Sequence, residues 1–138
     1  MEKMKNNVQQ AEVWKQYLDT QYEVSNLGNV RNKKTKAVLS QEDTGNGYLC
    51  VGLQIDKGVY KKTRVHRMVA ITFLEFQRTE ERNEVDHING NKSDNSVDNL
   101  RWCTHKENMN NPVTLRKIRR GVKRYRLQKC KCNIVFNF

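Results

Sequence analysis

The sequence predicts an α+β fold in three parts: a small antiparallel β-module, a strand–loop–strand–helix unit and a basic C-terminal helix. Three observations predict it: alternation of apolar and polar residues in the first half, helical spacing after Val65, and a concentration of basic residues after Pro112. The expected parts are residues 1–64, 65–112 and 113–138. A chain of 138 residues suits one domain, or two small modules that share contacts.

The β-module is predicted from alternation in residues 22–25 and 48–55, which is typical of half-buried strands. Turn signals follow both segments, at residues 26–29 and 56–58. The second turn leads into a strand over residues 59–65. Further short strands are expected at residues 30–31 and 37–39.

A helix is predicted from Val65 onward, because apolar side chains recur there with helical spacing. Residues 68, 69, 72, 73 and 76 share one face of this helix. We expect that face to cover the sheet. His66 lies beside it, and a histidine in that position is more often packed than in contact with phosphate.

Residues 84–111 predict a strand, a loop, a strand and a helix. Strands are expected at residues 84–88 and 100–103, with a strong turn signal at Asn89-Gly90 between them. The second helix should begin at His105, since Thr104 and Glu107 have the spacing of a capping box, and end near Pro112.

The charge of the chain is concentrated at its C-terminus. The net charge is +11, and residues 113–138 alone carry nine basic side chains and no acidic one. A solvated helix face normally mixes both signs, whereas a surface that follows a polyanion carries one. We therefore expect this basic helix, weakened at Gly121, to contact nucleic-acid phosphates, with a solvated face as the alternative.

Composition excludes several classes of protein. The longest apolar stretch, near residues 68–74, is far shorter than the roughly 20 residues that a membrane-spanning helix needs. The N-terminus lacks the apolar segment of a secretory signal, so we expect a cytoplasmic protein of a bacterial or phage-infected cell with reduced cysteines. The four cysteines lack the paired spacing of a zinc site, so no structural zinc is expected.

Three side chains of residues 84–111 have the chemistry of phosphodiester hydrolysis, which needs a base for water and a cation for the phosphate. His87 suits the first task, because an imidazole is largely neutral at cellular pH. Asp86 and Asn108 suit the second, because carboxylate and amide oxygens bind hard cations such as Mg²⁺. Adjacent strand residues point to opposite faces, so Asp86 and His87 can share a site only if the strand ends or bends there.

The content and spacing of residues 84–111 resemble the HNH nuclease motif of phage and intron-encoded homing endonucleases. The matching segments are Asp86-His87, Asn89-Gly90-Asn91-Lys92, Asp98-Asn99-Leu100-Arg101-Trp102-Cys103-Thr104 and Glu107-Asn108. Residues 12–31 and 65–70 are similar to the nuclease-associated module that precedes such domains. Many HNH enzymes have a metal-binding histidine where this sequence has Asn108.

The resemblance implies a ββα-metal fold, also called a His-Me finger, for the nuclease unit. His87 would be the general base, Asp86 and Asn108 would bind one Mg²⁺ or Mn²⁺ ion, and Asn99 would fix the loop of His87. The implied products carry 5′-phosphate and 3′-hydroxyl ends.

The resemblance therefore implies a homing-type endonuclease that cleaves double-stranded DNA. We expect it to act as a monomer, and a dimer stays open. The sequence also leaves open whether it nicks one strand or breaks both. The β-module and the basic tail would bind the duplex on either side of the active site. Candidate DNA contacts are Arg31, Arg67, His105, Arg116, Lys117, Arg119, Arg120, Lys123 and Arg124. The alternatives are a catalytically idle DNA-binding regulator and an RNA-binding protein, although no aromatic RNA-platform motif is present.

Overall fold

The computed structural model describes residues 10–122, and within them the chain has the predicted α+β fold. Eight strands in this range form three antiparallel sheets, and each sheet pairs strands that follow one another in the chain. The strands are β1 (Trp14–Gln16), β2 (Tyr22–Ser25), β3 (Val30–Asn32), β4 (Glu42–Asp43), β5 (Leu49–Asp56), β6 (Val59–Arg64), β7 (Glu84–His87) and β8 (Leu100–Cys103).

Two complete helices lie in the described part, α1 (Val65–Phe73) and α2 (His105–Met109). A third, α3, occupies residues 112–122. Short 3₁₀ turns occupy Glu75–Gln77 and Val97–Asn99. None of the helices between residues 10 and 122 is long and apolar enough to cross a membrane. Lys123 and Arg124, two of the candidate DNA contacts, lie outside the described residues.

Helix α1 lies between the β-module and the strand–loop–strand–helix unit of residues 84–111. It contacts strands of all three sheets, and four of its apolar side chains are completely buried. The indole Nε1 of Trp102, on β8, donates to the carbonyl oxygen of Ala70 in α1 at 3.3 Å. One apolar cluster therefore spans both parts: Tyr22, Val24, Val30, Val51, Leu53, Val65, Met68, Val69, Ala70, Leu74, Leu100 and Trp102. The expectation that this helix covers a sheet is met, and it covers three.

Two of the expectations about local structure before residue 84 were wrong. The helix after Val65 ends at Phe73, because Leu74 leaves the helical conformation and a tighter 3₁₀ turn follows. That turn directs Phe76 away from the packed face, and its side chain is 81% exposed. Residues 37–39 form no strand and contribute one isolated bridge, between Arg31 and Val38.

The helix that begins at His105 also ends earlier than Pro112. Helix α2 stops at Met109, and a new helix starts three residues later. Asn111 caps this new helix, since its side-chain oxygen accepts from the amide of Val113 at 2.9 Å. Pro112 is its first residue, a position where the missing N–H of proline costs no hydrogen bond.

Candidate active site

The end of β7 forms the centre of the site. Asp86 pairs with Arg101 of β8 and His87 pairs with Leu100, and the strand then ends. The amide of Gly90 donates to the carbonyl of His87 at 2.8 Å, and a φ of +73° at Gly90 reverses the chain. Because the strand ends there, the adjacent Asp86 and His87 both line one small cleft.

The cleft brings together the three residues that the sequence selected for chemistry. It is bounded by the end of β7, by α2 and by the first turns of α3. Its lining residues are Tyr48, Val85, Asp86, His87, Gly90, Lys92, Asn108, Val113, Thr114 and Lys117. The basic tail therefore contributes part of the wall of the site.

Asp86 is buried, and one of its two carboxylate oxygens is fully used. Oδ2 accepts from Nε of Arg101 at 3.1 Å and from the side-chain amide of Asn111 at 2.8 Å, and it forms a salt bridge with Nη2 of Arg101 at 3.0 Å. Among residues 10–122 no hydrogen bond reaches Oδ1. The carboxylate is thus held in one orientation by two partners, and its second oxygen remains available for a cation.

Asn108 is oriented in a similar way. Its Nδ2 donates to Glu84 Oε2 at 2.8 Å, so its side-chain oxygen stays available. This hydrogen bond, together with one between Glu84 and His105, holds the pKa of Glu84 below its ordinary value. The predicted capping box is present, since Thr104 Oγ1 accepts from the amide of Glu107 at 3.1 Å.

The oxygens of Asp86 and Asn108 fit a hard divalent cation. Carboxylate and amide oxygens are the donors that Mg²⁺ and Mn²⁺ prefer, and two protein ligands leave positions for water and phosphate oxygens. Within residues 10–122 no three His, Cys, Asp or Glu side chains cluster as a metal site. A site here would therefore consist of one carboxylate and one amide.

His87 is buried, and its ring is held by a residue that the sequence analysis missed. Nε2 lies 2.8 Å from the side-chain oxygen of Asn95. Because an amide oxygen can only accept, this contact requires a proton on Nε2, and in a neutral imidazole that places the free lone pair on Nδ1. Asn95 lies in a polar loop, and no spacing or composition signal distinguishes it from its neighbours.

Asn99 ties the ends of the loop that follows His87. Its Oδ1 accepts from the amide of Asn89 at 3.0 Å, and its Nδ2 donates to Asn89 Oδ1 and to the carbonyl of Asp94, both at 2.9 Å. The amide of Ile88 also donates to the carbonyl of Asn99. These contacts suit the role that the resemblance implies for Asn99, which remains a prediction.

Two further rings pack behind His87. The ring centroid of His66 lies 5.1 Å from that of His87 and 5.1 Å from that of Tyr48. His66 is 4% exposed, and burial, with a smaller contribution from His87, lowers its pKa to about 3. Its Nδ1 is among the buried atoms of the described residues that lack a hydrogen-bond partner. His66 is thus a packed, neutral histidine.

The candidate DNA contacts fall into two groups. Three have partners within the protein: Arg31 pairs with Glu23 and stacks over Trp14, Arg67 lies over the Trp102 ring, and His105 pairs with Glu84. The others in the described range belong to α3. Lys117 lines the cleft, Arg116, Arg119 and Arg120 are exposed, and no salt bridge within residues 10–122 involves these four.

A two-stranded hairpin that ends in Asp86-His87, followed by a helix that carries Asn108, defines a nuclease unit of the ββα-metal class. The HNH endonuclease family model matches residues 78–110, and the NUMOD4 motif matches residues 12–54. The chain belongs to the HNH endonuclease family, and its resemblance to homing members with an N-terminal nuclease-associated module is confirmed.

Individual relatives support this assignment. The HNH endonuclease L247 of Acanthamoeba polyphaga mimivirus is 38% identical over 120 residues, and the match covers 81% of this chain and 30% of that protein. The DNA endonuclease I-HmuI of Bacillus phage SP01 is 42% identical over 93 residues, 67% of this chain and 52% of that protein. The chain therefore spans between 30% and 52% of the length of these relatives.

A solved structure is similar over more of the molecule. The structure describing DNA binding and cleavage by the HNH homing endonuclease I-HmuI matches with a TM-score of 0.65 and 35% identity. The match covers 86% of this chain and 67% of that one. It therefore extends beyond the nuclease unit into the β-module.

Proposed function

We propose that this chain is a metal-dependent DNA endonuclease of homing type, with His87 as general base and one divalent metal on Asp86 and Asn108. The observation that carries the proposal is the convergence of these three side chains on one cleft in a member of the HNH endonuclease family. Their residue types divide the work of phosphodiester hydrolysis between a base and a cation site.

In this proposal, His87 acts as a base through Nδ1. The hydrogen bond from Nε2 to Asn95 fixes the ring and leaves the Nδ1 lone pair free to take a proton from water. The water oxygen then bonds to phosphorus, and the bond from phosphorus to the 3′ oxygen breaks. The leaving 3′ oxygen takes a proton from solvent, and His87 later releases its own proton to solvent, so the products carry 5′-phosphate and 3′-hydroxyl ends.

Asp86 and Asn108 would hold the cation, with Mg²⁺ preferred and Mn²⁺ accepted, because each has a side-chain oxygen not used in hydrogen bonds to the described residues. The bound cation would neutralise charge that develops on the phosphate and on the leaving oxygen. Arg101 and Asn111 contribute by fixing the orientation of Asp86 before the cation binds.

Double-stranded DNA is the proposed substrate. The exposed Lys and Arg side chains of α3 adjoin the cleft, so DNA phosphates that they bind would lie next to Asp86 and His87. Arg31, Arg67 and His105 would add contacts from the β-module, α1 and α2. We propose that the protein acts as a monomer, since the described part of the chain contains one such cleft. The proposed location is the cytoplasm of a bacterial or phage-infected cell.

A cleavage assay on supercoiled plasmid tests the proposal. We expect conversion to nicked or linear DNA with Mg²⁺ or Mn²⁺, no conversion in excess chelator, and recovery when the metal is restored. Binding to duplex DNA without cleavage under any metal condition would support the idle regulator instead. Preference for RNA over duplex DNA in competition would support the RNA-binding alternative.

A further inference from the structure

The loop that holds His87 rests on a turn of the β-module. The amide of Val97 donates to the carbonyl oxygen of Asn26 at 2.9 Å. Gly28 lies against Asn95 so closely that a Cβ at Gly28 would be 2.9 Å from Asn95 Cβ and 3.0 Å from its carbonyl oxygen. Residues 25–29 of the module, here called the module turn, therefore contact the residue that orients the proposed base.

The module turn is itself fixed from several directions. Asn26 accepts from the amide of Val13 at 2.8 Å and donates to the carbonyl of Ala11 at 3.1 Å. The hydroxyl of Ser25 accepts from the amide of Asn29, and the carbonyl of Gly28 accepts from Gln41 at 2.7 Å. Gly28 has a φ of +89°, a conformation that side-chain-bearing residues rarely adopt. The turn is a defined surface against which the loop packs.

Asn95 depends on this surface because its side chain makes few contacts of its own. Its Oδ1 accepts from His87, and its buried Nδ2 is without a partner among residues 10–122. A buried amide nitrogen without a partner costs free energy, so the position of Asn95 is not explained by its own hydrogen bonds. Contact with Gly28, together with the Val97–Asn26 hydrogen bond, fixes its backbone.

We propose that the module turn sets the orientation and the tautomer of His87 through Asn95, so that the β-module is part of the catalytic apparatus as well as a DNA-binding element. Gly28 and Asn95 are positioning residues, because both act through His87. The inference rests on the proposed function for the role of His87, but its structural part can be tested without any cleavage.

The structural part is tested by ¹⁵N NMR of the imidazole nitrogens in the full chain, at about pH 8, where an ordinary histidine is neutral. We expect His87 in the wild type to carry its proton on Nε2. Gly28→Ala should displace Asn95 and shift the two His87 nitrogens toward the values of mixed tautomers. Gly45→Ala is the matched control, since Gly45 has a φ of +95° but a Cβ there would meet nothing within 4 Å. This control should leave the His87 signals unchanged.

A second pair of variants covers the case in which Gly28→Ala does not fold. Asn95→Ala removes the acceptor and should give the same mixed-tautomer signals without changing the module turn. Asn95→Asp keeps an oxygen acceptor and should retain the proton on Nε2. A wild-type proton on Nδ1, or His87 signals unchanged in Asn95→Ala, would overturn the proposal.

The catalytic part is tested by single-turnover cleavage at saturating protein, which separates cleavage from DNA affinity. Gly28→Ala and Asn95→Ala should each slow cleavage by about tenfold to a hundredfold, because a misplaced base loses that much. If the variants cleave DNA at the wild-type rate although their His87 signals are altered, the catalytic role of the module turn is contradicted. Altered signals in a protein whose wild type cleaves no DNA would reject the proposed function and leave the structural inference standing.

Discussion

The cleft and helix α3 lie side by side but differ in their physical character. In the cleft, Asp86 and His87 are buried, and each is held by hydrogen bonds of 2.8–3.1 Å. On α3, Arg116, Arg119 and Arg120 are exposed. Fixed hydrogen bonds preorganise chemistry, whereas exposed charges attract a polyanion in a salt-dependent way. Changes in the cleft should therefore alter rate and metal demand, and changes on α3 should alter salt dependence.

The largest expected effect on DNA affinity comes from the exposed arginines of α3. Replacing Arg116, Arg119 and Arg120 together with glutamine should weaken binding in chelator and flatten the plot of log affinity against log salt. Each lost phosphate contact on B-DNA removes about 0.9 from that slope, so three contacts remove nearly three units. The metal concentration for half-maximal cleavage should stay the same.

The slope of log DNA affinity against log salt should be measured for the triple variant and for the control variant Arg82→Gln. Arg82 pairs with Glu107 at 3.0 Å, so its charge is already compensated and its loss should leave the slope unchanged. An unchanged slope in the triple variant, with folding intact, would mean that α3 presents a solvated face and that the contrast between the two regions is false.

The next effect is on metal demand. Asn108→Ala removes one of the two proposed ligand oxygens, so half-maximal cleavage should need at least about tenfold more Mg²⁺, while the salt slope of DNA binding stays constant. Asn110→Ala is the matched control, because Asn110 is exposed and does not line the cleft. Equal metal titrations for Asn108→Ala and the wild type would remove Asn108 from the site.

Lys117 belongs to both regions, since it lies on α3 and lines the cleft with its Nζ 3.5 Å from the carbonyl of Gly90. Lys117→Met should therefore change both measurements: the salt slope by roughly one contact, and single-turnover cleavage by several-fold. An effect on the salt slope alone would mean that Lys117 only binds DNA phosphate, as is proposed for the arginines of α3. An effect on cleavage alone would place it with the cleft.

The smallest effect concerns stability in acid. His66 has its pKa lowered to about 3, whereas an unfolded histidine titrates near 6.5. The unfolded chain therefore binds a proton that the folded chain does not, and the free energy of unfolding should fall as the pH drops from about 6.5 towards 3. Protonation of His66 lowers the free energy of unfolding by at most about 1.4 kcal/mol per pH unit in that window.

Chemical denaturation at several pH values measures this contribution. His66→Phe lacks the titrating group and should lose stability less steeply than the wild type between about pH 6 and 4. Parallel curves for the two proteins would show that His66 is not held neutral by burial.

The sequence predicts the elements of the nuclease unit well, because their signals are local. The capping box at Thr104 and Glu107 starts α2 as predicted, and strand β7 ends beside the turn signal at Gly90. Helix α1 was predicted too long, since periodicity does not reveal where Leu74 leaves the helical conformation.

The partners of the site residues were harder to predict, because they depend on tertiary contacts. Arg101 could have been found, since antiparallel pairing of β7 and β8 places it directly opposite Asp86. Asn95 and Asn111 could not, because each lies in a polar segment whose residues are equally suited to solvent. The contact of Gly28 with Asn95 joins residues 67 positions apart, which no local pattern encodes.

The central claim, that His87 performs the chemistry while other residues supply affinity, is tested most directly by His87→Ala. Single-turnover cleavage at saturating protein and DNA affinity in chelator should be measured on the same duplex. The account predicts that cleavage falls by at least about a hundredfold while affinity stays nearly unchanged, because a general base acts on water and contributes little to binding. Cleavage by His87→Ala at the wild-type rate would contradict it.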